Sequence, residues 1–156
     1  MSRFHVHLHV GDLEQSVRFY STLFGIAPTR VESGYAKWML EEPKVNFAIS
    51  TGEPVGISHL GFQVETEAEL TEVSSRAQAA AGTVFVEKGA RCCYATGNKA
   101  WAEDPQGVVW ETFHTTGDLQ EAGAGAEATF QDNLQIASMA GCGCSTKKPE
   151  AACCAP

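Results

Sequence analysis

The strongest constraint on this chain is that its first 114 residues state one plan twice. Residues 3 to 10 alternate in polarity and read as a strand. Asp12 then caps a helix with Gln15 three residues on, and Leu13, Val17, Tyr20, Leu23 and Phe24 recur at helical spacing until Gly25 stops it. Short strands near 27 to 32, 35 to 40 and 44 to 51 follow, separated by Ser33-Gly34 and Glu42-Pro43. The second copy opens with a strand over 57 to 65. Thr66 and Glu69 form a capping box, and Leu70, Val73, Ala77 and Ala80 give a helix that Gly82 ends. Strands near 83 to 88, 98 to 103 and 107 to 114 complete it, the last two joined by Asp104-Pro105-Gln106-Gly107. Superposing His5 on His59 aligns Val6 with Leu60, Leu8 with Phe62 and Val10 with Val64. The expected fold class is α+β: two tandem βαβββ modules, about 3 to 51 and 56 to 114, with helices on one face and an open barrel-like cleft on the other.

Beyond residue 115 this patterning stops. The segment from 116 to 156 is rich in Ala and Gly, and only Phe130, Leu134, Ile136 and Met139 suggest a short helix. The expectation is a domain over 1 to 115 and a flexible, largely disordered C-terminal tail that carries Cys142, Cys144, Cys153 and Cys154. With 156 residues, 44% of them apolar, the chain can bury one core. A net charge of −8, with no basic run longer than Lys147-Lys148, offers no footprint for nucleic acid. The N-terminus runs straight into alternating structure and no apolar stretch approaches ~20 residues, so the expectation is a cytoplasmic protein with no membrane partner and reduced thiols. Two vicinal pairs, Cys92-Cys93 and Cys153-Cys154, suit thiolate ligands better than a disulfide framework.

Side chains alternate along a strand, so parity identifies those that share a face. On the first strand Val6, Leu8 and Val10 form an apolar face, expected under the helices, and His5, His7 and His9 lie opposite. His59 and Gly61 lie opposite Leu60, Phe62 and Val64, and Glu111 alternates with Trp110 and Thr112. One concave surface can thus hold His5, His59 and Glu111. Two imidazoles and a carboxylate with open positions suit non-haem Fe(II), and zinc, nickel or manganese can use the same donors. The competing reading makes the histidines a solvated strand face and pairs Glu111 with Lys99.

The run His5-Val-His-Leu-His-Val-Gly-Asp-Leu-Glu-Gln-Ser-Val-Arg-Phe-Tyr, ending Leu-Phe-Gly at 23 to 25, resembles the opening of the vicinal oxygen chelate superfamily, which includes glyoxalase I and extradiol dioxygenases. Gly56-Ile-Ser-His-Leu-Gly-Phe-Gln-Val and Asp104-Pro-Gln-Gly-Val-Val-Trp-Glu carry the same likeness, which covers residues 3 to 114. It places the family's metal ligands, also its catalytic centre, at His5, His59 and Glu111. Residues 34 to 47, together with Cys92-Cys-Tyr-Ala and Lys99-Ala-Trp, are similar to one branch: Fe(II)- and dioxygen-dependent carbon-arsenic lyases that demethylate trivalent methylarsenicals, with relatives named as cadmium-induced proteins. The resemblance implies Fe(II) as cofactor, dioxygen as co-substrate, a trivalent organoarsenical as small-molecule partner, and Cys92 and Cys93 as the substrate-binding pair.

The residues agree with that implication. Trivalent arsenic is soft, and methylarsenite has two exchangeable positions, so two thiolates suffice to hold it. Cys92 and Cys93 lie between Gly89 and Gly97, in a segment that can move, and Arg91 favours the thiolate form. Trp38, Trp101, Phe47 and Tyr94 are candidates for an apolar wall around the organic substituent, although aromatics on strands are more often core. His7 and His9 face the cleft by parity, either as groups around the metal and substrate or as exposed strand residues, and Lys99 either guides an oxyanion or is solvated. Two other functions compete: a glyoxalase I type isomerase or thiol transferase on the same three ligands, and a non-enzymatic binder of arsenic, antimony or cadmium. Two modules in one chain can complete a site as a monomer, and a homodimer fits equally well.

Overall fold

A computed structural model of the chain describes residues 2 to 92 and 94 to 119. The first module runs β1 (Arg3–Val10), α1 (Leu13–Phe24), β2 (Arg30–Glu32), β3 (Tyr35–Glu41) and β4 (Lys44–Thr51). The second repeats it as β5 (Gly56–Val64), α2 (Glu67–Ala81), β6 (Phe85–Cys92), β7 (Ala95–Glu103) and β8 (Val109–Asp118). Both helices start where the caps indicate. Asp12 accepts the Gln15 N–H at 2.9 Å, and Thr66 and Glu69 form a reciprocal capping box. Both stop at a glycine in the left-handed region, Gly25 at φ 71° and Gly82 at φ 74°.

The eight strands form one curled sheet in the order β2-β3-β4-β1-β5-β8-β7-β6. Each module contributes four neighbouring strands, and the two halves meet where β1 runs antiparallel to β5. On either side of that seam the inner pairings are parallel, β1 with β4 and β5 with β8. One row of register partners, Trp38, Phe47, Val6, Leu60, Trp110 and Ala102, crosses six strands on the helix side. The next row, Met39, Asn46, His5, Gly61, Glu111 and Trp101, lines the concave side.

Under α1, the residues Leu13, Val17, Tyr20 and Phe24 pack with Val6, Leu8 and Val10 on a buried cluster of Ala36, Trp38, Phe47 and Ile49. Trp38 and Phe47 therefore belong to the helix-side core and not to a substrate wall. The reason is register: Phe47 pairs with Val6, whose face is already committed to α1. Under α2 a smaller cluster joins Val64, Leu70 and Ala100 with Val73 and Val84. Among the described residues no helix is long and apolar enough to cross a membrane.

Two connections differ from the sequence expectation. The segment from 89 to 97, read as a movable loop, is mostly ladder: β6 continues to Cys92, β7 begins at Ala95, and those two residues pair. Gly89, at φ 64°, lies where the β6–β7 register shifts, so it marks a bulge and not a hinge. Before β8, Asp104 Oδ1 accepts the N–H groups of Gln106 and Val108, so the chain stays in a turn until Val109. Cys93, Cys142, Cys144, Cys153, Cys154 and the apolar positions from Phe130 to Met139 lie outside the described residues.

Candidate metal centre

The seam strands and β8 deliver three donors to one point in the cleft. His5 Nε2 and His59 Nε2 are 3.2 Å apart, and Glu111 Oε2 is 3.6 Å from the first and 3.3 Å from the second. All three residues are buried. Gly61 is what permits this. It lies between His5 and Glu111 in the concave row, and a Cβ there would stand 1.7 Å from the Glu111 carbonyl oxygen. Without a side chain at 61, β5 and β8 close up and the imidazole and carboxylate meet across the gap.

The outer hydrogen bonds orient the rings. The backbone carbonyl of Asn46 can only accept, so the 3.0 Å contact to His5 Nδ1 places that ring's proton on Nδ1 and turns the Nε2 lone pair inward. His59 Nδ1 contacts Ser58 Oγ at 3.1 Å, leaving its Nε2 toward the centre. Burial pushes the His5 imidazole from its usual 6.5 down to about 4, outweighing the pull of the Glu111 carboxylate toward protonation. For Glu111 burial acts to raise the carboxyl, yet the Lys99 ammonium and then the two histidines hold it well below the ordinary carboxylate range. At neutral pH the centre thus presents a neutral His5 and an ionised Glu111. Electron pairs converging over 3.2 to 3.6 Å fit a divalent cation, since ligand bonds of roughly 2.0 to 2.2 Å span such edges.

Lys99 is part of this centre, which the sequence reading left between an oxyanion guide and a solvated side chain. It is buried, and its Nζ donates to Glu111 Oε1 at 2.5 Å. The competing reading had Lys99 paired with Glu111; the pair exists, but through the oxygen that faces away from the histidines. Lys99 also lies 5.3 Å from the Trp101 ring and 5.9 Å from that of Phe113. Of the four aromatics named as a wall, Trp101 is in the cleft, its ring 5.3 Å from His59 and its Nε1–H bonded to Glu87. Sequence reasoning passed over Phe113 and Asn46. Phe113 packs edge-on at 5.1 Å from His5, and Asn46 both orients His5 through its carbonyl and donates from Nδ2 to Gln63. Parity with Glu111 marked the face of Phe113, whereas that of Asn46 follows from its register opposite His5, and no spacing marked either role.

A second grouping overlaps the first. The ligating atoms of His5, His7 and His59 lie within 4.8 Å of one another, and His7 is as buried as His59. This cluster is looser than the triangle closed by Glu111, which has no edge above 3.6 Å. The triangle is the better-formed centre. His9, half-buried, meets the His7 ring edge-on at 5.8 Å.

Cys92 ends β6 and is buried. Just before β7, Tyr94 holds φ 64°, a left-handed turn conformation that glycine or asparagine normally supplies. Two neighbours of Tyr94, Arg30 and Tyr35, come from β2 and β3 at the other end of the sheet order. The Arg30 guanidinium lies over its ring at 4.7 Å, Tyr35 packs against it at 5.6 Å, and the Leu119 N–H bonds its carbonyl at 2.8 Å. Arg30 also donates to the Leu119 carbonyl at 2.9 Å. Tyr35 in turn lies 6.4 Å from His7, whose ring is 4.8 Å from His59. Tyr94 is therefore joined to the histidines by a short relay of rings through Tyr35.

Residues 3 to 112 match the model of the Glyoxalase/Bleomycin resistance protein/Dioxygenase superfamily. A protein of Bacillus sp. (strain MD1) named trivalent organoarsenical cleaving enzyme is 39% identical over 121 residues, 75% of each chain. One of the same name from Thermomonospora curvata is 33% identical over 150 residues, covering 92% of this chain and 99% of the relative. The cadmium-induced protein CadI of Mycobacterium tuberculosis (strain ATCC 25618 / H37Rv) is 32% identical over 127 residues, 80% of this chain and 84% of that protein. In fold, an extradiol ring-cleaving dioxygenase from B. fuscum superposes with a TM-score of 0.57 at 20% identity, over 74% of this chain and 33% of that one. The Mn(II)-bound glyoxalase from Novosphingobium aromaticivorans gives 0.55 at 16%, over 80% and 44%.

Proposed function

This chain belongs to the glyoxalase/bleomycin resistance protein/dioxygenase superfamily, and we propose that it is an Fe(II)- and dioxygen-dependent lyase that cleaves the carbon-arsenic bond of trivalent methylarsenite. One oxygen atom of dioxygen ends on arsenic, giving inorganic arsenite, and the other on the methyl carbon, which leaves as formaldehyde. The observation that carries the reading is the convergence of His5, His59 and Glu111 on one point, in a chain whose β6–β7 hairpin bears Cys92. Relatives that bear the name organoarsenical cleaving enzyme, at 39% and 33% identity, support the substrate class.

In this reading His5, His59 and Glu111 hold the iron, and iron so held supplies activation of dioxygen. Lys99 keeps the Glu111 carboxylate ionised and fixed, with Oε2 left toward the two imidazoles. Asn46 and Ser58 hold the two imidazoles in the orientation that points Nε2 inward. Cys92 and Cys93 take the arsenical by exchange: two sulfur-arsenic bonds replace two arsenic-hydroxyl bonds, and the thiol protons leave with the hydroxyls as water. Only a trivalent centre offers those exchangeable positions together with thiophilicity, so pentavalent methylarsenicals are not substrates. Tyr94, anchored on Arg30 and Tyr35, sets where the turn presents its cargo, and Trp101 and Phe113 keep water from the reacting centre.

The test is anaerobic reconstitution with Fe(II), followed by methylarsenite and then air, with inorganic arsenite measured by chromatography. Arsenite release only when both iron and oxygen are present is the expected result. Equal release without oxygen would overturn the oxygen-dependent reaction. Retention of methylarsenite with no turnover would instead favour a binding protein.

A further inference from the structure

His7 is the buried titratable group at the centre for which the proposed reaction has no use. On β1 it shares the concave face with His5, and its register partner across the seam is His59. The His59 ring accordingly lies between two imidazoles, 5.1 Å from His5 and 4.8 Å from His7. The His7 ring is 3% exposed, and Ser50 Oγ contacts its Nε2 at 2.9 Å, the kind of outer partner that fixes a ligating imidazole. The three ligating atoms lie within 4.8 Å of one another. Zinc bonds of about 2.0 to 2.1 Å in tetrahedral array set nitrogens roughly 3.4 Å apart, so the three imidazoles draw together when zinc binds.

We propose that His5, His7 and His59 form a second seat in the same cleft, a three-imidazole site that takes zinc, alternative to the His5, His59 and Glu111 seat. The two seats share two ligands and cannot be filled together. Their chemistry differs in the third donor. Glu111 is a hard anionic oxygen, whereas His7 is a neutral nitrogen suited to zinc, copper and nickel, and zinc accepts three histidines with a fourth position open. In the imidazole seat His7 takes the place of Glu111 as third donor, and Glu111 keeps its bond to Lys99. Zinc bound this way excludes iron and silences the reaction. The inference rests on the proposed iron site only for His5 and His59, and its test reads metal coordination, not arsenite, so each can fail without the other.

The full chain is prepared metal-free with Cys92→Ser, Cys93→Ser and the same exchange at Cys142, Cys144, Cys153 and Cys154, leaving only nitrogen and oxygen donors. Zinc and Fe(II) affinities are measured by chelator competition in this background, with His7→Gln and Glu111→Gln added singly. His7→Gln is expected to weaken zinc at least tenfold and Fe(II) less than threefold, and Glu111→Gln to do the reverse. Zinc-edge X-ray absorption of the background chain, with His7 intact, counts the imidazoles directly and stands even if a variant misfolds. Three imidazoles support the seat. Two imidazoles with a carboxylate, or zinc affinity indifferent to His7→Gln, overturn it.

Discussion

Lys99 holds one oxygen of Glu111, and the other oxygen is the one that faces both imidazoles. The 2.5 Å contact is to Oε1, whereas Oε2 makes the 3.3 and 3.6 Å approaches to His59 and His5. The ammonium and the metal-binding point thus lie on opposite sides of one carboxylate, and neither competes with the other.

Replacing Lys99 by Met removes one partner of a buried ion pair and leaves the other charged. Metal-free protein should lose about 3 to 5 kcal/mol in urea denaturation, the usual consequence of stranding a buried charge. Saturating divalent metal should restore part of that loss, because a cation at Oε2 compensates the same carboxylate. A variant as stable as the parent in the absence of metal would show that the pair carries no such weight.

Acid should weaken the metal-free fold before any carboxylate of ordinary pKa titrates. The unfolded chain binds a proton at His5 near pH 6.5, while the folded chain resists until about pH 4. Between those values the unfolded state holds more protons, so stability falls as pH is lowered through that window. Glu111, depressed in the folded state, extends the loss further into acid. Urea midpoints from pH 7.5 to 4 should decline, and His5→Gln should flatten the upper part of that decline.

Gly61→Ala tests the close approach of β5 and β8. Its Cβ would fall 1.7 Å from a backbone oxygen of Glu111, which cannot swing aside as a side chain can. The loss should exceed the roughly 1 to 3 kcal/mol typical of overpacking. Soluble Gly61→Ala protein with a melting temperature within a few degrees of the parent would contradict the packing described here.

Tyr94 occupies a left-handed turn position that costs a non-glycine residue about 1 kcal/mol or more. Tyr94→Gly relieves that cost but removes the ring under Arg30 and against Tyr35. Stability should therefore change little, by about 1 kcal/mol either way, since the cation-aromatic contact is of similar size. Methylarsenite affinity should fall severalfold while iron affinity holds, measured by arsenic retention on the desalted protein. An equal fall in both would place Tyr94 in the fold and not in presentation of the turn.

The sequence carried most of the plan because its signals were local. Asp12, Thr66, Gly25 and Gly82 mark helix ends by chemistry that needs no tertiary context, and parity alone separated His5 from Val6. What it missed depended on register. Whether Trp38 and Phe47 face the helix or the cleft follows from the pairing of Phe47 with Val6, which no periodicity reveals. The burial of Lys99 depends on β7 lying beside β8, and a lone lysine in a strand reads as solvated. Gly89 and Gly97 suggested flexibility, yet both lie where the ladder shifts register, and only the paired strand shows that.

The seam between β1 and β5 has a consequence for assembly. The half ending at Thr51 owns His5 and His7, and the half beginning at Gly56 owns His59, Lys99 and Glu111. Neither half has a complete donor set for either seat, so an ion held here works as a rivet through two plates, drawing its grip from both. Chains severed within residues 52 to 55 would then reassociate more tightly with metal than without it, and the dissociation constant of the fragments would report how much of the ion's binding energy is spent on keeping the modules together.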